Sequence, residues 1–451
     1  MRKLTGLIIA LIVLSGMLFI GTHSIALAED PTLLSPIEEL GKAIFFDEDL
    51  SVNKTQSCAT CHAPEVGFTS PNEEVNAGGG VVPGAIPNRA GNRKPPTSAY
   101  TGHSPLLYFN QTTSRWIGGM FWDGRATGAT LGDPLAEQAQ APFLNPLEQA
   151  IANEQVLCVR VKKAEYASLF KQVWNTNSID CAKDSGGVYE KIGRSVAAYE
   201  RSSEVNPYSS KFDLFWDNAA AAGKDVTKIT CGNSNAGCGM PAFGCPCGGT
   251  VVNRWGTYQN LGLSKDELQG LAAFNDSNKG NCASCHSLQP GPDNYPLFTD
   301  FGYDNLGIPK NPENPFYAMP PAWNPDGVDW IDYGLGGYLE AAGYPAEVSE
   351  VEMGKFKTTT LRNLDMRPIE NFVKAYGHNG YFKTLYDIVF FYHWRGMMDG
   401  NCMGNGCPPG MSDMFPPPEV DQNRIMLNMF PMPLVDKMVT FLETLSDGYQ
   451  P

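Results

Sequence analysis

One arrangement of chemically active residues occurs twice in this chain, as Cys58-Ala-Thr-Cys61-His62 and as Cys282-Ala-Ser-Cys285-His286. Each pentapeptide brings two thiols and one imidazole into a single short stretch. Two thiols at that spacing can form thioether bonds to the vinyl groups of a haem, and the histidine that follows can reach its iron. With 12 Cys and 6 His in 451 residues, chance supplies roughly 0.004 such pentapeptides. Two of them therefore predict two covalent haem c groups, with His62 and His286 as iron ligands. A structural zinc site would need further Cys or His at finger-like spacing, and residues 63–102 contain neither.

The rest of the composition is consistent with that chemistry. Arg2 and Lys3, an apolar run from Leu4 to Ile20, and Ala26-Leu27-Ala28 before Glu29 read as a secretory signal over residues 1–28. An uncleaved membrane anchor is the alternative. Haem attachment to this motif takes place outside the cytoplasm, so the expected location is exported: the periplasm, or the cell surface. Setting aside the four haem thiols leaves Cys158, Cys181, Cys231, Cys238, Cys245, Cys247, Cys402 and Cys407, an even number that reads as disulfides in an exported chain. Cys158–Cys181 and Cys402–Cys407 are the natural local pairs. The other four share one Gly-rich segment in which three connectivities stay open. A formal charge of −15 argues against nucleic acid as a ligand and favours a redox partner of complementary charge.

The elements that must position these groups repeat a plan. Each half has a helical lead-in, a haem pentapeptide, a long Gly/Pro/Asn-rich loop and a further helix. Ile37 to Phe46 has helical apolar spacing, and Ser264 to Phe274 begins with a Ser followed three residues on by Glu267, a capping box. Val188–Glu200, Lys211–Ala222 and the amphipathic Leu434–Leu445 also read as helices. The loops Pro71–Pro96 and Gln289–Pro345 are longer than simple connections need to be, which suggests that they wrap a bound group. The expected fold is mainly α: two cytochrome c-like domains, residues 29–205 and 206–451, each wrapping one covalent haem c. A Cys-rich insertion falls at about residues 225–262 of the second.

Motif order then points to a family. Leu40-Gly-Lys-Ala-Ile-Phe-Phe-Asp47, the first haem pentapeptide, Phe121-Trp-Asp-Gly-Arg-Ala126, Glu137-Gln-Ala139, Asn145-Pro-Leu-Glu148, Thr360-Leu-Arg-Asn363 and Gly377-His-Asn-Gly380 follow one another. Together they resemble the bacterial di-haem cytochrome c peroxidase and MauG superfamily, from about Leu40 to Leu445. The resemblance implies that the His62 haem is peroxidatic. It makes Glu148 the distal carboxylate that moves protons during O–O cleavage. Gln138 and Pro142 become further distal-pocket residues, and Trp122 the aromatic that passes electrons between the irons.

Three departures refine the expectation. Many relatives carry a His on the loop after the first motif that blocks the peroxidatic iron. Here no His or Met lies between His62 and His103, so the first iron is expected to stand open; His103 itself falls at a packing position. The usual axial Met of the second haem is replaced by Tyr392, as in MauG, with the adjacent His393 as a rival ligand and His378 outside the ligand set. A phenolate would lower the potential relative to Met. The Asn ligand of the family's inter-domain calcium corresponds to Lys94, and an ammonium cannot ligate Ca²⁺. The function expected is a peroxidase that reduces hydrogen peroxide with electrons relayed from the C-terminal to the N-terminal haem. Its electron donor would be a small redox protein or another reductant. The alternatives are MauG-like oxidation of a protein substrate and a non-enzymatic di-haem electron carrier. A homodimer is compatible with the sequence.

Overall fold

The structure, a computed structural model, describes residues 33–232, 252–405 and 414–451. The expected signal segment and Cys238, Cys245, Cys247 and Cys407 lie outside these residues, as does the Cys402–Cys407 pairing. Cys231 is disulfide-bonded, and Cys158 is joined to Cys181.

Helices dominate. In the N-terminal half they are α1 (Pro36–Phe45), the short α2 (Glu73–Ala77), α3 (Pro134–Leu144), α4 (Glu154–Lys163), α5 (Ala167–Val173) and α6 (Ser185–Arg201). The C-terminal half holds α7 (Lys211–Ala221), α8 (Lys265–Asn275), α9 (Gly334–Ala341), α10 (Ala346–Ser349), α11 (Leu385–Asn405) and α12 (Pro433–Glu443). Sheet is confined, among the described residues, to two small antiparallel pairs: β1 (Tyr108–Asn110) with β2 (Arg115–Ile117), and β3 (Tyr303–Asp304) with β4 (Phe356–Lys357).

The lead-in helices form as their sequences dictate. Ser35 donates to Glu38 Oε2 from its backbone N at 2.6 Å and its hydroxyl at 2.7 Å, and Ser264 N donates to Glu267 Oε2 at 2.6 Å. These bonds satisfy amide groups that the first helical turn leaves without partners. Six residues past each cap stands a glycine. A Cβ added at Gly41 of α1 would lie 1.9 Å from Ser195 O of α6, and one added at Gly270 of α8 would lie 1.9 Å from Lys437 O of α12. Each half therefore closes by pressing its lead-in helix onto its last helix, backbone against backbone, where no side chain fits.

Two large apolar cores, with smaller clusters beside them, lie within the compact unit Leu34–Pro451. One gathers Leu40, Ile44, Phe143, Leu157, Ile192 and Tyr199. The other gathers Phe212, Leu268, Phe274, Phe298, Phe391 and Phe441. The second long loop departs from expectation by containing α9. Its Gly334-Leu-Gly-Gly run reads as loop in sequence, yet Gly334 and Gly336 lie flush on the backbones of Lys355 and Met353, and Leu335 and Leu339 pack with Trp116 and Tyr303. Gly336 serves close packing, and Gly334 adds to that the left-handed backbone, φ 56°, from which the helix starts. No helix of the described residues is long and apolar enough to cross a membrane.

Candidate functional site

The second pentapeptide opens onto a cavity of about 270 Å³ that Cys282, Cys285, His286, Tyr392, His378 and Met438 help to line. The His286 Nδ1 bonds to Phe298 O at 2.9 Å, which orients the ring and leaves Nε2 for a metal. Tyr392, on α11, is half-buried in this cavity, and desolvation raises the pKa of its phenol. His393 is not among the lining residues; its Nδ1 bonds to Phe430 O at 2.6 Å. His378 lies flat on Phe356, with ring centroids 3.5 Å apart, and its buried Nδ1 has no hydrogen-bond partner. Burial lowers its pKa to about 4.

The first pentapeptide opens onto a cavity of about 160 Å³, where Cys58, Cys61 and His62 share the walls with Gln138, Pro142 and Glu148. Gln138 and Pro142 come from α3, and Glu148 from the turn beyond it. That turn is fixed by Asn145, whose Oδ1 accepts from Leu147 N at 3.0 Å and whose carbonyl accepts from Glu148 N at 3.0 Å. Burial pushes the Glu148 carboxyl up in pKa, against Arg125 and Asn145, which pull it down. The His62 Nδ1 bonds to Phe68 O at 3.1 Å. Both carbonyls that hold the imidazoles belong to phenylalanines in left-handed backbone conformations, φ 57° at Phe68 and 52° at Phe298. A bulky aromatic adopts that region only when its surroundings enforce it.

The donors suit a covalent haem in each cavity. Cys58, Cys61, Cys282 and Cys285 are the free thiols among the described residues, unpaired even within each pentapeptide. His103 is not brought to either cavity. It stands at the surface with Nε2 2.8 Å from Asp293 Oδ2.

Trp122 and Lys94 line both cavities. The indole Nε1 donates to Lys94 O at 2.8 Å, and the Lys94 backbone N donates to His378 O at 2.9 Å. The partition between the two cavities is therefore a hydrogen-bonded unit built from residues nearly 300 positions apart. The Lys94 ammonium is buried and donates to Pro95 O at 3.0 Å, and burial lowers its pKa to about 8.

Sequence reasoning missed Glu200. Near the end of α6 it is 3 % exposed, lines the first cavity, and leaves Oε2 without a partner. Burial raises its pKa to about 8, outweighing the Ser98 hydroxyl and Arg201. Helical periodicity places Glu200 on the buried face beside Val196 and Tyr199, and a carboxylate on that face was the available signal. The effect on stability has a definite sign. Between the ordinary carboxyl value of 4.5 and about 8 the folded protein keeps a proton that the unfolded chain releases. Stability is therefore lost as pH rises through that window. Glu200→Gln should melt increasingly above wild type as pH rises from about 5 to about 8, by on the order of 4 kcal/mol at most. Parallel melting curves at all pH values would show that Glu200 ionises as it does in the unfolded chain.

Comparison with known proteins places these features in a lineage. A family model described as di-haem cytochrome c peroxidase matches residues 35–221. The methylamine utilization protein MauG of Paracoccus denitrificans is 29 % identical over 420 residues, covering 91 % of this chain and 89 % of that protein. The cytochrome c551 peroxidase of Nitrosomonas europaea is 25 % identical over 351 residues, covering 78 % and 71 %. Among solved structures, the diheme peroxidase BthA from Burkholderia thailandensis superposes with a TM-score of 0.64 at 27 % identity, covering 93 % of this chain and 89 % of that one.

Proposed function

The chain belongs to the di-haem cytochrome c peroxidase and MauG superfamily, and from that membership we propose that it reduces hydrogen peroxide at an N-terminal haem, with electrons relayed from a C-terminal one. It is an oxidoreductase of the cytochrome-c peroxidase type. Two cytochrome c-like domains, residues 29–205 and 206–451, carry one haem each. A haem in the first cavity supplies the redox-active iron at which the peroxide O–O bond is broken.

The chain's own residues do the rest. Cys58 and Cys61 tether that haem, His62 ligates it, and Phe68 O fixes the imidazole plane. Glu148 takes the proton from one peroxide oxygen and returns it to the leaving one, a two-way role that a raised pKa suits. Gln138, on the same wall, orients peroxide through its amide. Cys282, Cys285 and His286 hold the second haem. Tyr392, on the same wall, would hold that haem together with His286, and as a hard anionic donor it would favour the ferric state. Trp122, shared by both cavities, carries electrons between them.

The observation that carries this reading is the composition of the first cavity. His62 is the one imidazole on its wall, with no Met and no Tyr beside it, so a haem held there would share its cavity with a proton-handling carboxyl and with no second side chain of these ligand types. Low-temperature EPR of the fully oxidised protein tests it. A high-spin ferric signal that vanishes on adding one equivalent of peroxide, without prior reduction, is expected. Two low-spin signals indifferent to peroxide would reject an open peroxidatic site and favour an electron carrier.

The acidic chain suits a positively charged donor protein, met after export to the periplasm or cell surface. A second reading, oxidation of a protein substrate, is favoured by the position of Tyr392 and by the relative named MauG.

A further inference from the structure

Outside both cavities, three tyrosines stand in contact and lead to the surface. The rings of Tyr100 and Tyr208 meet edge to face with centroids 4.9 Å apart, and Tyr208 stacks on Tyr295 at 4.8 Å. Tyr100 is 2 % exposed, whereas Tyr208 and Tyr295 are half-buried. Each phenol donates to its own carboxylate: Tyr100 to Asp447 at 2.7 Å, Tyr208 to Asp293 at 2.9 Å, and Tyr295 to Asp217 at 3.1 Å. Asp217 is exposed, and Asp293 is also held by His103, a histidine that lines neither cavity.

The inner end of this ladder adjoins both histidine mounts. Arg362, a wall residue of the second cavity, has its guanidinium carbon 4.8 Å from the Tyr100 ring centroid and 4.6 Å from that of Tyr208. It also lies 5.8 Å from the ring of Phe298, whose carbonyl holds His286. On the other side, Phe68 O, which holds His62, also accepts from Ser98 N at 3.2 Å, two residues before Tyr100. A cation among tyrosine rings opposes any positively charged tyrosine. It does not oppose loss of an electron together with the proton, and here Asp213 neutralises the guanidinium through two bonds of 2.9 and 3.1 Å.

We infer that Tyr100, Tyr208 and Tyr295 form a redox-active relay that carries oxidising equivalents from the haems to a surface site at Tyr295, where a one-electron reductant from solution is oxidised. The inference rests on the peroxidase reading, since hydrogen peroxide is the oxidant, taking up two electrons, one from each of two reductant molecules, and two protons from solvent as it is reduced to two waters. In each step one phenol gives up an electron to the oxidised centre inside it. Its O–H bond breaks, and the proton passes along the existing hydrogen bond to the carboxylate, leaving a neutral phenoxyl radical. The next ring outward refills that hole and the proton returns. At Tyr295 the electron comes from the external reductant and the proton comes back from Asp217.

The experiment treats the holoprotein with hydrogen peroxide in the presence of the spin trap DMPO and without added reductant, and maps adducts by mass spectrometry while peroxide loss is followed in parallel. Wild type is expected to carry adducts on Tyr295, and Tyr208→Phe to lose them at unchanged haem content. Tyr295→Phe, a surface change that removes one hydroxyl, should shift adducts to Tyr208. Peroxide consumption with no tyrosine adducts, or Tyr295 adducts undiminished in Tyr208→Phe, would overturn the relay and leave the peroxidase intact. Absence of peroxide consumption by wild type would overturn both.

Discussion

Glu148→Gln should lower kcat/KM for hydrogen peroxide by between about a hundredfold and ten-thousandfold, the usual worth of a positioned general acid–base. Glutamine keeps the size of the side chain and can still bond near Asn145, but it cannot take up a proton and give it back. Haem content and the ferric spectrum should be unchanged, because Glu148 touches neither pentapeptide's thiols in its proposed role. The pH profile supplies a second readout. The carboxylate form begins the reaction, and burial raises the Glu148 pKa, so wild-type activity should fall as pH drops through that raised value. In the variant this acid limb should vanish along with the rate. A variant that keeps wild-type kcat/KM would move the proton transfer elsewhere, with Glu200 on the same cavity as the next carboxyl to test.

Tyr392→Met should raise the potential of the C-terminal haem by on the order of 100 mV or more, since axial ligand identity is the protein's strongest lever on haem potential. A phenolate brings negative charge that favours ferric iron, whereas a thioether is neutral and soft. Spectroelectrochemical titration of the two haems would measure the change, and the N-terminal potential should move far less. The same titration on His393→Ala separates the rivals. The structure ties His393 to Phe430 O and leaves it off the cavity wall, so its removal should leave the potential in place. A shift with His393→Ala and none with Tyr392→Met would reverse the assignment.

The sequence was most legible where a local rule sufficed. The Ser–Glu cap at Ser264 and the helices around it follow from short-range spacing. The structure has the expected helices within three residues of where the pattern put them, with a second Ser–Glu cap at Ser35 that the apolar spacing alone does not single out. Cys158–Cys181 was likewise a nearest-neighbour choice. What stayed hidden depends on contacts between distant segments. Lys94 meets the backbone of His378, Arg362 meets Asp213, and Tyr100 bonds to Asp447 near the chain's end. No periodicity encodes such pairs, because a helical stripe reports which face is inward and not what waits there. Glu200 marks the boundary: its burial was readable from α6, but its neighbour Cys58 was not. The glycines of α9 failed for the opposite reason. Their local rule, that Gly breaks a helix, was overridden by a backbone that needed to lie flat against another.

The glycine crossings also set an order of assembly. The N-terminal half clamps α1 beneath α6 at Gly41, so everything that closure needs has been synthesised once Arg201 is in place. The C-terminal half cannot close at Gly270 until Lys437 of α12 exists. As the chain emerges from the ribosome, the first clamp can form while the second still waits for α12. A premature stop anywhere between Arg201 and Lys437 would therefore spare the first pocket's clamp and deny the second its own.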